Sequence, residues 1–202
     1  MARYLRCSPR MWTSPVNRAA VTALNIRPGE QVLDVGAGMG AAAVVAARSG
    51  ARVIAVDPTP FMRFVLKMRR LGHPARQRLE IVDGAAEHLP VGDSSIDAAW
   101  AVNVMHHWTD PDAGVSELRR VLRGGGRLLL VDEDFDDPGH PEYERMRARR
   151  HKHGHAFPNI DPAAVGSRLA AVGFTVAEAN KTVLTGRPAK LIRATKTDAE
   201  SM

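Results

Sequence analysis

Three glycines at alternate positions mark the part of the chain with the clearest chemical potential. Gly36, Gly38 and Gly40 follow Asp34, which ends a predicted strand, and residues 41–48 read as a helix. Glycine permits the positive φ angles of tight turns, and its lack of a side chain lets a ligand approach the backbone. A bare loop at a helix N-terminus is typical of nucleotide-like ligands. The spacing fits both Gly-x-Gly-x-Gly and the dinucleotide form Gly-x-Gly-x-x-Ala, so the loop alone does not choose the cofactor.

Acidic and amide residues follow the other predicted strands. Asp57 follows the strand Arg52–Val56, 21 residues after Gly36, where a carboxylate can accept both ribose hydroxyls of a nucleoside. Asp57 also suits an N-cap-like role before Pro58-Thr59-Pro60, and the two roles can coexist. Further strands are predicted at Leu79–Val82, Ile96–Val102 and 127–131, followed respectively by Asp83, Asn103 and Asp132.

This ordered series resembles the class I S-adenosylmethionine-dependent methyltransferases, and most of all the branch with the ubiquinone and menaquinone biosynthesis C-methyltransferases. The resemblance covers residues 14–131 with ordered motifs and the rest more loosely. It implies S-adenosylmethionine as the cofactor, with Asp34 and the glycines at its methionine end and Asp57 at its ribose. It also implies Asp83 and Ala85 at the adenine and Asn103 beneath the sulfonium, although Asp83 also suits an Asp-Gly turn. The implied cofactor-binding set is Asp34, Gly36, Ala37, Gly38, Gly40, Asp57, Pro58, Asp83, Gly84, Ala85, Asn103 and Val104.

Strands and helices alternate through residues 31–131, which predicts βαβ units and a parallel sheet. Helix starts are marked by an N-cap residue before proline, as in Ser14-Pro15, Thr59-Pro60, Asp110-Pro111 and Asp161-Pro162. The C-terminal part reads as a helix followed by strands 174–179 and 189–195, an antiparallel hairpin at the sheet edge. We therefore predict a single domain, residues 1–202, with a Rossmann-like, doubly wound, mostly parallel seven-stranded sheet and an antiparallel C-terminal hairpin.

The predicted reaction is methyl transfer to a small-molecule acceptor by in-line displacement, in which the protein mainly supplies proximity and alignment. A general base is optional, and His107 and Asp132 are the candidates because both follow strands at the cofactor edge. The long polar connection 132–158 is predicted to be a substrate lid. With the N-terminal segment 1–13, it would form the site of a compact acceptor.

Composition limits the alternatives. The formal charge is +6, with basic clusters in residues 63–78 and 145–152, but few aromatic residues accompany them, so no specific nucleic-acid binding is expected. An RNA methyltransferase and a non-catalytic adenosyl- or nucleic-acid-binding module remain alternatives. A nicotinamide oxidoreductase is disfavoured because Tyr143 is followed four residues later by Arg147 rather than lysine.

The remaining features concern location and metals. The single Cys7 fits a reducing compartment and predicts a cytoplasmic protein. The sequence contains no run of 18 apolar residues, so a membrane span is not expected. The spacing of His151, His153 and His155 would align three ligands only in an extended segment, so we predict no metal site. The oligomeric state is not predicted.

Overall fold

The computed structural model describes residues 14–153 and 160–198, apart from the side chains of residues 150–153. The helices are α1 (Pro15–Ala23), α2 (Ala43–Arg48), α3 (Pro60–Leu71), α4 (Pro111–Val121), α5 (Tyr143–His153) and α6 (Pro162–Ala171). The strands are β1 (Gln31–Val35), β2 (Arg52–Val56), β3 (Leu79–Val82), β4 (Ile96–Val102), β5 (Leu122–Glu133), β6 (Phe174–Leu184) and β7 (Arg187–Lys196). Short 3₁₀ turns cover Arg76–Arg78 and Met105–His107.

The strands form one seven-stranded sheet in the order β3-β2-β1-β4-β5-β7-β6. Strands β1 to β5 are parallel, whereas β7 runs antiparallel to both β5 and β6. The predicted fold class is therefore confirmed. The strand order reverses between β1 and β4, and open α/β sheets bind their ligands outside the carboxyl ends of the strands at such a switch point.

Proline-marked caps begin four of the helices. The side chains of Ser14, Asp110 and Asp161 accept hydrogen bonds from backbone N–H groups of the first turn. Thr59 makes no such bond, and its own N–H donates instead to Asp57. The local sequence thus fixes where α1, α3, α4 and α6 begin and, with them, how the preceding loops leave the sheet.

The C-terminal hairpin is longer than predicted. Strands β6 and β7 continue to Leu184 and back from Arg187, joined by Thr185 and Gly186, whose φ angles are 53° and 75°. Two successive residues with positive φ match the twist of a tight hairpin and bring the strands together without a loop. The predicted stretch 180–188, read as a polar link, therefore belongs mainly to the sheet.

Strand β5 also begins earlier than the predicted stretch 127–131. Leu122 already pairs with Ile96, after which the register shifts and Arg127 pairs with Ala98. The three glycines 124–126 fill this irregularity, and Gly125 has a φ of 70°. The glycines therefore adjust the register between β4 and β5 rather than forming a separate turn.

Alternate strand residues face two helical layers. On one face Val32, Val53 and Trp100 are buried under α1, α2 and α3. On the other face residues such as Leu33 and Leu130 are buried under α4 and α6. Every helix in the described part of the chain is too short or too polar to cross a lipid bilayer. The cytoplasmic location and the single-domain division stay predictions.

Candidate active site

The glycine loop joins β1 to α2 and folds back on the end of β2. The N–H groups of Gly36 and Ala37 both donate to the carbonyl oxygen of Val56, at 2.8 and 2.9 Å. Gly36, Gly38 and Gly40 have φ angles of 70°, 54° and 77°, a region that other L-residues rarely adopt.

The three glycines serve different purposes. A Cβ atom at Gly36 would collide with the side chain of Val104, and one at Gly40 would collide with Leu66. A Cβ atom at Gly38 would meet nothing within 4 Å. Gly36 and Gly40 are therefore required by packing, whereas Gly38 leaves bare backbone facing open space.

Asp57 connects the end of β2 to this loop. The residue is only 6% exposed, and its Oδ2 atom accepts the Gly38 N–H at 2.8 Å. Its Oδ1 atom accepts the Thr59 N–H, also at 2.8 Å. An ionised carboxylate offers about four acceptor positions, so two remain for a ligand after these backbone bonds. The bond to the Thr59 N–H matches the N-cap-like role of Asp57 before α3, and it leaves capacity for the predicted ribose role.

Asp34 is buried beneath the same loop. It is 3% exposed, and its Oδ2 atom has no hydrogen-bond partner in the described part of the chain. Burial raises the pKa of Asp34 to about 7; nearby Trp100 and the Ala43 N–H oppose that rise, while the charge of Asp57 adds to it. A buried carboxylate oxygen without a donor is rare in proteins, and it points to a group that the protein chain itself does not supply.

Asp83, at the end of β3, is held by an arginine that the sequence reasoning missed. Arg63 donates from its two terminal nitrogens to the two Asp83 oxygens, at 2.7 and 2.9 Å. One of these nitrogens also donates to the carbonyl oxygen of Asp57, at 2.7 Å. The Asp83 side chain is nevertheless 71% exposed. Arg63 thus connects the loops after β2 and β3 while leaving the carboxylate at the surface of the cleft.

The residues after Asp83 turn sharply back across the sheet edge. A Cβ atom at Gly84 would lie 2.7 Å from Pro90 Cδ and 3.0 Å from Val56 Cγ1, so only glycine fits there. Ala85 forms an isolated bridge with His88. The sequence motif after β3 is therefore at least a packing motif.

Asn103, after β4, has a φ of 57° and is tied to the end of β5. Its amide nitrogen donates to Glu133 Oε1 at 2.8 Å, and the Glu133 N–H donates to its amide oxygen at 2.7 Å. The other oxygen of Glu133, Oε2, pairs with Arg187 at 2.8 Å and with His140 Nε2 at 3.0 Å. The strained backbone of Asn103 is thus fixed by a buried polar network.

Asp132 organises the loop that carries the histidines. Its Oδ1 atom accepts the Val104 N–H at 2.9 Å. Its Oδ2 atom accepts the His106 N–H at 3.2 Å and lies 2.9 Å from His106 Nδ1. Because an ionised carboxylate only accepts, the hydrogen of this contact belongs to Nδ1, which leaves Nε2 of a neutral His106 as an acceptor. Asp132 is only 3% exposed, so its carboxylate is enclosed by the residues that it binds.

His107 lies on the open side of the same turn. The rings of His106 and His107 are 4.1 Å apart with their planes at 52°. Desolvation by the surrounding protein lowers the pKa of His107, with a further decrease from His106, while Asp132 and Asp57 act in the opposite direction. His107 therefore lies close enough to Asp132 and Asp57 to feel their charges. Because its pKa is lowered, His107 is neutral at neutral pH. The sequence indicated His107 and Asp132 as candidates but not His106. In the structure His106 contacts both of them: its Nδ1 atom lies beside Asp132, and its ring packs against His107.

Comparison with known proteins assigns the family. The family model described as "Methyltransferase domain" matches residues 33–130, the span from β1 to β5 that carries all these loops. The chain belongs to the class I S-adenosylmethionine-dependent methyltransferases. The predicted resemblance is confirmed, and S-adenosylmethionine is the cofactor of this family.

Similar sequences include proteins named for quinone methylation. The chain is 35% identical over 137 residues to a demethylmenaquinone methyltransferase of Beutenbergia cavernae, covering 68% of this chain and 52% of that protein. It is 39% identical over 132 residues to an uncharacterized 37.1 kDa protein in transposon TN4556 of Streptomyces fradiae, covering 62% of this chain and 37% of that protein. The chain thus spans about half or less of the length of these relatives.

Solved structures agree on the fold. A SAM-dependent methyltransferase from Aquifex aeolicus is 20% identical with a TM-score of 0.68, covering 93% of this chain and 92% of that one. The YcgJ protein of Bacillus subtilis has a TM-score of 0.70 at 20% identity, covering 91% of this chain and 99% of that one. The described sheet of this chain, including the hairpin, therefore has the fold of these structures.

The predicted lid of this chain, residues 132–158, is only partly described. Its first part is packed: Asp134, His140 and Glu142 are buried, and Asp134 lies 2.9 Å from Lys181 on β6. This part of the polar connection therefore has buried contacts with the sheet. Residues 154–158 and the N-terminal segment 1–13 lie outside the described residues, so the lid stays a prediction. In the described part of the chain, no group of three or more His, Cys, Asp or Glu side chains is placed to hold a metal.

Proposed function

We propose that this chain transfers the methyl group of S-adenosylmethionine to a small-molecule acceptor by in-line displacement. The observation that supports this proposal best is the contact between Asp57 and Gly38. A buried carboxylate with spare acceptor positions there meets bare backbone facing open space, at the carboxyl edge of β1 and β2. The cofactor, when bound, supplies an electrophilic methyl group on a sulfonium.

The chemistry of the loop residues fits the two ends of this cofactor. The two remaining acceptor positions of Asp57 suit the two hydroxyls of the ribose. The orphaned oxygen of Asp34 suits a cationic donor, and the ammonium of the methionine part is such a group. Pro58, which has no N–H, fixes the chain between Asp57 and the start of α3.

The other loops would complete the cofactor site. Asp83 retains acceptor capacity beyond its bonds to Arg63 and would receive the adenine amino group, alongside Gly84 and Ala85. Asn103 and Val104 would lie beneath the sulfonium, because the bond from Val104 to Asp132 holds that loop against Gly36. These assignments rest on placement at one sheet edge together with the family resemblance.

A proton acceptor is available if the acceptor substrate needs one. His107 is neutral at neutral pH because desolvation lowers its pKa, so an unprotonated ring nitrogen can take a proton. Asp132 acts as a positioning residue in this scheme: it fixes the turn and orients His106, whose ring packs beside His107. The geometry thus supports His107 as the base and gives Asp132 an indirect role.

The acceptor is proposed to be a compact organic molecule. Two observations support a small molecule: the names of the demethylmenaquinone methyltransferase relatives, and the scarcity of aromatic residues beside the basic clusters. Residues 1–13 and 132–158 are proposed to cover the acceptor and exclude water, as lids do in other enzymes.

Titration calorimetry tests the cofactor part of the proposal. We expect S-adenosylmethionine and S-adenosylhomocysteine to bind to the full chain and NAD to give no heat. Asp57→Ala should weaken adenosylhomocysteine binding about tenfold or more, because hydrogen bonds to a charged acceptor are lost. Asp93→Asn, an exposed aspartate paired with Arg120, is the matched control and should bind normally. NAD binding without adenosylhomocysteine binding would overturn the proposal.

Methyl transfer is tested separately with labelled cofactor. The labelled methyl group should enter the small-molecule fraction of a cell extract and leave its RNA unlabelled. Labelled RNA would instead support the RNA methyltransferase alternative. Cofactor binding with no transfer to any fraction would support a non-catalytic module.

A further inference from the structure

A cavity is lined by the helices α2 and α3, next to the end of the glycine loop. It has a volume of about 720 Å³, and the start of α1 forms part of its rim. Its apolar lining consists of Ala41, Val44, Val45, Phe64, Val65 and Met68. Phe64 and Met68 are 58% and 49% exposed, although side chains of this size are normally covered. We call this cavity the α2–α3 groove.

The polar lining of the α2–α3 groove is positively charged. It includes Arg18, Arg48, Arg69 and His73. Within residues 14–153 and 160–198, no carboxylate forms an ion pair with Arg18 or Arg48. The lining therefore combines an apolar floor with two cations, Arg18 and Arg48, that have no carboxylate partner in the described part of the chain.

The hydrogen bonding around His73 shows that these cations are crowded. His73 is 6% exposed, and two donors point at its ring: Arg48 Nε lies 3.0 Å from Nε2, and the Ala75 N–H lies 3.2 Å from Nδ1. A neutral imidazole carries one hydrogen and accepts at only one nitrogen. One of the two donors therefore has no acceptor at His73.

Electrostatics agree with this crowding. Burial lowers the pKa of His73, and the charges of Arg48 and Arg69 lower it further. Burial also lowers the pKa of Arg69, with a further contribution from Arg48. An anion beside these residues would relieve the repulsion and give Arg48 an acceptor.

We propose that the α2–α3 groove binds a single-chain amphiphilic anion, namely a carboxylate on an aliphatic chain. The head would pair with Arg48 and Arg18, and the tail would cover Phe64 and Met68. From Phe64 to Gly72 the groove follows α3 over about 12 Å, which is room for an extended tail. The N-terminal segment 1–13 is disfavoured as the occupant because it carries Arg3, Arg6 and Arg10, of the same charge as the groove.

Calorimetry on the full chain tests the proposal with three probes: dodecanoate below its micellar concentration, acetate, and dodecyltrimethylammonium. Dodecanoate should bind, and the other two should bind about tenfold more weakly or worse, since one lacks the tail and the other carries the wrong charge. Equal binding of dodecanoate and the cationic probe would show a merely apolar surface and would overturn the proposal.

Two variants test the two ends of the ligand. Arg48→Gln and Met68→Glu change exposed side chains, so both should fold, and each should weaken dodecanoate binding about tenfold. Lys67→Gln is the matched control: it removes one charge from α3 but does not line the groove, so binding should be unchanged. If Lys67→Gln weakened dodecanoate binding as much as Arg48→Gln, the loss would follow from the net charge of the protein alone, and the proposal would fail.

Occupation by another molecule is a distinct outcome. If the full chain binds no dodecanoate, the proposal is wrong, and the segment 1–13 becomes the occupant to examine. Sedimentation of the same variants identifies the other case: if Met68→Glu converts a dimer into a monomer, the groove is a subunit interface and not a ligand site. Because none of the proposed cofactor-binding residues lines the groove, adenosylhomocysteine binding should persist in all three variants.

Discussion

Replacing Asp34 by asparagine should remove a loss of stability that the ligand-free wild type suffers as the pH rises. The stability of the variant, measured relative to the wild type, should therefore be greater at high pH than at low pH. Burial raises the pKa of Asp34 from 3.8 to about 7. Because the folded pKa is the higher one, the unfolded chain releases its proton first as the pH rises. The free energy of unfolding therefore falls by about 1.4 kcal/mol per pH unit between these values, and by about 4 kcal/mol in total. Above pH 7 the penalty is complete, and below the unfolded pKa it is absent.

Asparagine has no such titration, so the difference between the variant and the wild type isolates Asp34. Urea unfolding of both proteins at pH 4.5 and pH 8 measures it. The variant's stability relative to the wild type should rise by roughly 3–4 kcal/mol between the two pH values, whatever offset the amide group itself introduces. Other titrating groups contribute equally to both proteins and cancel. An identical pH dependence in the two proteins would refute the conclusion that burial raises the pKa of Asp34.

Three further outcomes are expected from the site. Gly36→Ala should destabilise the protein, because its Cβ atom would collide with Val104. Gly38→Ala should remain folded, with only the strain of a left-handed backbone, about 1–2 kcal/mol, but it should lose cofactor affinity. Thermal melting measures the first effect, and calorimetry measures the second. Asp57→Asn should bind adenosylhomocysteine less weakly than Asp57→Ala, since the amide oxygen still accepts one N–H, and equal losses would contradict the hydrogen-bond account. His107→Gln should lower the rate of methyl transfer most above the pKa of His107. Because that pKa is lowered, the wild-type rate should fall only at a pH below the ordinary histidine range, and an unchanged pH–rate profile in the variant would exclude His107 as the base.

The parts of the fold that the sequence could predict are those with local causes. Asp34, Asp57 and Asp83 each follow an apolar run, so their positions at strand ends can be read without knowing the sheet. The proline-marked caps are likewise local, and they placed the helix starts at Pro15 and Pro111 to the residue. Alternation of strands and helices then indicates the parallel sheet, because a helix between two strands returns the chain to the edge where the first strand began.

The missed features depend on contacts between distant residues. His106 meets Asp132 only because Val102 pairs with Val131, which brings the ends of β4 and β5 together. The Arg63–Asp83 pair likewise depends on the register of β2 against β3. Such pairings have no signature in a single sequence, since each residue type is common in polar loops.

The position of β7 has a consequence for how the protein is made. This strand lies between β5 and β6, yet it is the last of the seven to leave the ribosome. Until it is delivered, β5 presents a row of unpaired N–H and C=O groups, and β6 has no neighbour to pair with. An open strand edge of this kind recruits other chains, so a nascent chain arrested before residue 187 should be a target for chaperones and prone to aggregate. The proposed cofactor loops follow strands β1 to β4, which are synthesised earlier. These strands and β5 can therefore pair before β7 is made, but the edge of β5 stays exposed until β7 is added.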